Sequence, residues 1–183
     1  MDLPPEPVIE CGACRLRPFR AGDLDALVAL ADNEKVSAML RDRFPYPYTR
    51  ADGERFLAET LAQRGEWRLA LEVDGGFAGS VGFRPGEDVQ RHGAEVGYWL
   101  GEPYWGRGIL AAALRAATPV AMDALRLLRV QAGVYSGNPA SMRVLEKAGY
   151  VHEATLRCAV VKRGAVLDLH VYARVRRDFA DAA

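Results

Sequence analysis

The stretch E-P-Y-W-G-R-G-I-L-A-A-A-L, residues 102–114, decides the fold. Gly106 and Gly108 stand one residue apart, where a strand ends and a helix begins. A turn of this kind presents several backbone N–H groups at a helix N-terminus, with the helix dipole behind them, and so suits a phosphate or pyrophosphate. Glycine lets the backbone close on an oxygen without a Cβ in the way. Arg107, between the two, adds a charge-assisted contact. A bare G-x-G also occurs in turns that serve packing alone, so the flanking sequence has to carry the reading.

Before the turn, A-E-V-G-Y-W-L (94–100) has the pattern of a strand, and after it residues 106–125 form an Ala/Leu-rich helix. A β-branched run follows, R-V-Q-A-G-V (129–134), then N-P-A-S-M-R-V-L-E-K-A-G-Y (138–150). This ordered series resembles the GNAT superfamily of acyl-CoA N-acyltransferases. Within it the chain looks like the RimJ/RimL branch, which acetylates ribosomal-protein N-termini. F-P-Y-P-Y-T (44–49) and D-L-H-V-Y-A-R-V-R-R-D-F (168–179) match the same branch, so the resemblance covers about residues 14–179.

The resemblance implies an α+β domain with a mixed, mostly antiparallel central sheet of six to seven strands. That sheet is splayed between two central strands and carries helices on both faces. It implies acetyl-CoA as acyl donor, its pantetheine arm entering between the strands at 94–100 and 129–134 by strand addition. The pyrophosphate then falls to Trp105, Gly106, Arg107, Gly108, Ile109 and Leu110. The thioester lies near Trp99 and Leu100, where the Leu100 N–H holds its carbonyl oxygen as negative charge develops. Asn138 holds the cofactor. The amine attacks directly, so no enzyme nucleophile is needed.

Two proton transfers remain. Glu95, at the start of the splayed strand, is the expected general base, acting through a water. The alternative is an edge carboxylate that orders the sheet or holds substrate. Many superfamily members use a tyrosine as general acid on the later helix, but the matching position here is Leu145. The branch resembled uses the serine of N-P-A-S, here Ser141. Asn138, Ser141 and Leu145 are spaced i, i+3, i+7 and share a helix face, so Ser141 can point toward the sulfur. Its alternative role is a second capping hydroxyl in the first turn. Phe44, Tyr46 and Tyr48 either wall the acceptor site or pin a proline-rich loop to the core. Arg143 and Lys147 either reach the 3′-phosphate or are solvated helix charges.

Bulk properties bound these readings. With 183 residues, a substantial core fits in one domain, expected over 11–183 after a flexible tail at 1–10. Lys+Arg and Asp+Glu both total 24, which argues against a nucleic-acid surface. The first ten residues hold three prolines and three acids, unlike a signal peptide, and Arg115 and Asp123 break the most apolar helix. A cytoplasmic protein with no membrane partner is expected, as monomer or homodimer. C-G-A-C (11–14) is half of a zinc-ribbon spacing with no second half, so no metal is expected.

Capping at Thr49 and Asn138 starts helices, and Asp74-Gly75-Gly76 and Lys162-Arg163-Gly164 turn hairpins. Pro119 predicts a kink or an early stop in the long helix. The expected function is transfer of an acetyl group to a primary amine, foremost a protein N-terminal α-amino group. Alternatives are a small-amine acceptor (amino acid, polyamine, aminoglycoside), a succinyl donor, and a non-catalytic acyl-CoA sensor. A nucleoside-triphosphate enzyme fits poorly, because no G-K-[ST] follows the glycines.

Overall fold

The structure is a computed structural model and describes residues 3–63 and 65–176. Eight strands form one sheet in the order β1-β2-β3-β4-β5-β6-β8-β7. They are β1 (Ile9–Glu10), β2 (Arg15–Arg17), β3 (Trp67–Val73), β4 (Gly76–Pro85), β5 (Gly93–Leu100), β6 (Arg129–Tyr135), β7 (Val151–Lys162) and β8 (Ala165–Val175). Every neighbouring pair is antiparallel except β5 and β6. Helices α1 (Leu24–Ala31), α2 (Glu34–Ala38) and α3 (Arg50–Leu61) precede β3. Helix α4 (Ile109–Ala124) joins β5 to β6, and α5 (Pro139–Lys147) joins β6 to β7.

Eight strands exceed the six to seven expected, because the N-terminal residues add the short β1–β2 pairing at the sheet edge. Residues 3–10 lie against the domain: β1 pairs with β2, and Trp67 Nε1 donates to Pro4 O at 3.0 Å. Residues 1, 2 and 177–183, parts of the expected tail and domain, lie outside the described residues, as does residue 64, expected to end α3.

Local chemistry accounts for the elements. Thr49 and Asp52 make a reciprocal capping box at α3, and Asn138 caps α5 by accepting from Ser141 N. Asp74 and Gly75 both have positive φ, as do Arg163 and Gly164, which gives each hairpin the type I′ twist of its strands. Pro119 does not stop α4, which runs on to Ala124. Inside that helix, Thr118 Oγ1 donates to Leu114 O at 2.7 Å and meets Tyr150 Oη at 2.8 Å. In α3, Leu57 is buried, Phe56 is half-buried and Leu61 faces solvent.

The sheet divides two cores, as alternation along its strands requires. Leu69, Val81, Phe83, Val96 and Leu100 pack with Ile109, Leu114 and Leu145 from α4 and α5. Ala70, Phe77 and Trp99 pack with Leu27, Val36 and Leu57 from α1, α2 and α3.

Candidate active site

Strands β5 and β6 are in register over three pairs only: Gly93 with Arg129, Ala94 with Val130, Glu95 with Gln131. Beyond Glu95 they part, although β5 continues to Leu100 and β6 to Tyr135. On its other edge β5 pairs with β4 throughout. Gly93 O accepts from Gly86 N, and Gly101 N donates to Ala78 O. By the alternation of an antiparallel pair, odd-numbered β5 residues bond to β4, while the even-numbered ones face β6; the Val96 N–H closes the short β5–β6 ladder, and beyond it the Val96 C=O, both backbone groups of Tyr98 and the Leu100 N–H aim at the gap. A cavity of about 1320 Å³ runs through this gap. Phe44, Arg68 and Trp99 line it on one face of the sheet; Ile109, Ser141 and Val144 line it on the other.

The glycine turn closes one end. Gly106 (φ 75°) and Gly108 (φ 73°) are both left-handed, and a Cβ on either meets nothing within 4 Å. Glycine is needed here for backbone conformation rather than for room within the protein. Gly108 caps α4, and no side chain bonds to that helix terminus, so the Ile109 and Leu110 N–H groups keep the polarity an anion requires. The Ile109 side chain itself is buried in the core. Trp105 Nε1 donates to Leu100 O at 2.7 Å and so ties the turn to the end of β5. Arg107 lies 3.6 Å from Asp74 and over the Tyr104 ring, its centroid 5.9 Å away.

Titratable and hydroxyl groups flank the gap on opposite faces. On the α4/α5 face, Ser141 Oγ lies 2.7 Å from Tyr98 Oη. Asn138 Oδ1 takes the Ser141 N–H at 3.1 Å, so the cap of α5 is Asn138 and the serine hydroxyl serves Tyr98 instead. Burial pushes the Tyr98 phenol above its ordinary pKa, against the Ser141 hydrogen bond, so it stays protonated well beyond neutrality. Leu145, one turn on, is fully buried. Arg143 and Lys147 of the same helix also line the cavity.

On the other face, Glu95 accepts from Arg41 Nη2 and stands opposite Arg84 in the β4–β5 register. Gly97, next along that face, is exposed and leaves the strand bare of a side chain. Trp99 shares this face: its ring packs on Phe44 (5.5 Å) and Phe77 (5.9 Å), away from the helices that carry the glycine turn and Ser141. Phe44 and Tyr48 line the cavity, their rings 5.1 Å apart, and burial lifts the Tyr48 phenol to about 12. Tyr46 points outward, its ring 6.0 Å from the Arg163 guanidinium.

Sequence reasoning missed Tyr98, Arg41 and the arginines around Glu66. Tyr98 was legible in part: it shares strand parity with Val96 and Leu100, on the face opposite Glu95. His170 meets Thr155, and Asp168 accepts from Cys158 N. Cys14 is buried, Cys11 half-buried and Cys158 exposed. Among the described residues no cluster of three or more His, Cys, Asp or Glu could hold a metal ion.

Residues 14–151 match the family model "Acetyltransferase (GNAT) domain". The chain belongs to the GNAT acetyltransferase family. It is an N-acyltransferase of that fold. The uncharacterized GNAT relative YoaA of Bacillus subtilis, an N-acetyltransferase by name, is 27% identical over 173 residues, 93% of this chain and 97% of its own. The ribosomal-protein-serine acetyltransferase of Escherichia coli is 34% identical over 116 residues, 63% of this chain and 64% of that one. A structure of the ribosomal L7/L12 alpha-N-protein acetyltransferase RimL in complex with coenzyme A superposes with a TM-score of 0.82 at 22% identity, covering 92% of this chain and 98% of that one. Among the described residues no helix is long and apolar enough to cross a membrane.

Proposed function

We propose that this GNAT protein transfers an acetyl group from acetyl-CoA to a primary amine, and that its acceptor is a protein N-terminal α-amino group. The observation that carries the reading is the through-sheet gap, with the glycine turn and the Tyr98–Ser141 pair on one face and Glu95 on the other. An extended amide chain fits the β5 edge, because the Val96 C=O, both backbone groups of Tyr98 and the Leu100 N–H are offered there beyond the last β5–β6 pair. The α4 N-terminus suits its pyrophosphate, where neither glycine blocks approach. Bound there, acetyl-CoA supplies an activated acyl carbon.

The chain's own residues do the rest. The Leu100 N–H stabilises charge on the acyl oxygen. Glu95, through a water, removes the proton the amine sheds as its nitrogen bonds to the acyl carbon. An α-amine, with a pKa of about 8, loses that proton more readily than a lysine at about 10.4. Ser141 gives its proton to the departing thiolate and takes a replacement from Tyr98 Oη, which is reprotonated by water in the cavity that both residues line. The names of RimL and of the E. coli relative, both acting on ribosomal proteins, support the acceptor class.

The test is calorimetric titration with acetyl-CoA, followed by an assay of CoA release with N-terminal peptides and small amines. Peptide-dependent release is expected. Binding without release from any acceptor would leave an acyl-CoA sensor, and release with small amines alone would move the acceptor class.

A further inference from the structure

On the face of the sheet that carries Glu95, three guanidinium groups converge on one carboxylate oxygen. Glu66 Oε2 takes Arg68 Nη2 at 2.6 Å and Arg84 Nη2 at 3.0 Å, with Arg43 Nη2 at 3.9 Å. The Glu66 side chain is 10% exposed and lies flat on Gly82, where a Cβ would stand 2.3 Å from Oε1. Arg68 is fixed further by Thr60 Oγ1 at 2.6 Å and by the Phe56 ring, whose centroid is 4.6 Å away. The cluster therefore holds two positive charges in excess. Its charged neighbours on the cavity wall mostly pair off, Arg41 with Glu95 and Arg55 with Asp52, leaving Glu59 exposed on α3. Arg43 feels the surplus: burial and then Arg84 hold its pKa below the usual value.

This surplus lies next to the site of amine attack. Gly82 faces Gly97 in the β4–β5 register, and Arg84 faces Glu95. Diagonal neighbours on one face of such a pair are about 7–8 Å apart. An extended peptide advances roughly 3.3 Å per residue, so its second or third side chain reaches the arginines from an amine held over Gly97.

We infer that Arg43, with Arg84 and Arg68 behind it, forms a subsite for a carboxylate carried by the acceptor, an acidic side chain at the second or third residue of the peptide that is acetylated. The inference rests on the reading of the Glu95 face as the acceptor side. Arg43 is the member that changes partner. Its side chain is 60% exposed and only grazes Glu66, whereas Arg68 and Arg84 are needed to hold that carboxylate in place.

The test compares peptides that differ only as Glu or Gln at position two, and a second pair that differs so at position three, by calorimetric affinity with CoA in excess and by CoA release. The wild type should bind the Glu peptide about 10-fold more tightly, as a charge-assisted pair in a half-buried site allows. Arg43→Gln should reduce that preference to roughly twofold, and Arg43→Glu should turn it toward a Lys peptide. Free amino acids test the same site with only their α-carboxylate; binding tighter than any peptide would overturn the peptide assignment. Equal affinity for Glu and Gln peptides, or a preference that both Arg43 variants leave intact, would overturn the subsite. Release of CoA without any Glu preference removes the subsite and keeps the transferase. A Glu preference in binding with no release from any acceptor removes the transferase and keeps the subsite.

Discussion

Ser141 and Tyr98 present two hydroxyls 2.7 Å apart, and substitution separates their roles. Ser141→Ala should lower kcat about 100-fold, the lower end for a lost general acid, because a thiolate of pKa about 8.5 is already a fair leaving group. Its CoA affinity should change less than about twofold, since Asn138 still caps α5. Tyr98→Phe keeps the ring in place and removes only the relay, so a fall of roughly 10-fold in kcat with unchanged KM is expected. Steady-state kinetics beside calorimetry check both; full turnover in Ser141→Ala would remove it as the acid. The candidate acid was legible from N-P-A-S and helix spacing, and the candidate base from its place on the splayed strand. Tyr98 was not legible as its partner, because the two are 43 positions apart and meet only across the β5–α5 packing.

At the scale of elements, glycine is required for two different reasons. Gly106 and Gly108 face open space and are needed for their left-handed backbone, whereas Gly79 is needed for room. A Cβ on Gly79 would stand 2.2 Å from Trp99 O, inside the β4–β5 pairing. Gly79→Ala should therefore cost roughly 3 kcal/mol, read as a lowered midpoint in urea unfolding. Gly108→Ala meets no atom but carries left-handed strain of about 1–2 kcal/mol. The turn relieves that strain by shifting, so CoA binding should weaken roughly 10-fold while the urea midpoint moves little. Affinity retained within twofold would show that the N–H cradle does not depend on this conformation. Such differences are invisible in sequence, where all glycines look alike. The hairpins, capping boxes and strand parities were legible because each depends on neighbours within a few residues. Of the kink or early stop expected at Pro119, the stop does not occur, because tertiary packing of α4 outweighs one lost hydrogen bond.

For the molecule as a whole, buried phenols set an alkaline limit. Burial raises Tyr48 and Tyr150 to about 12 and lifts Tyr98 as well, against an unfolded value of about 10. The native state then binds more protons than the unfolded chain between these values, so stability is intact below about pH 10 and falls as pH rises toward about 12. Urea midpoints across that range, with tyrosinate absorbance as the second readout, check it; a flat midpoint would contradict the burial. The three-pair register of β5 with β6 also bears on dynamics. Protection from hydrogen exchange usually peaks at the middle of a sheet and fades toward its rims. In this eight-stranded sheet, the Tyr98 and Leu100 amides sit centrally yet aim into a solvent-reachable gap beyond the last β5–β6 pair. They should exchange deuterium as fast as rim amides, while Gly97 and Trp99, bonded to β4 beside them, stay protected. Alternate amides of one central strand would thus exchange on two clocks, and a ligand seated along β5 would slow only the fast set.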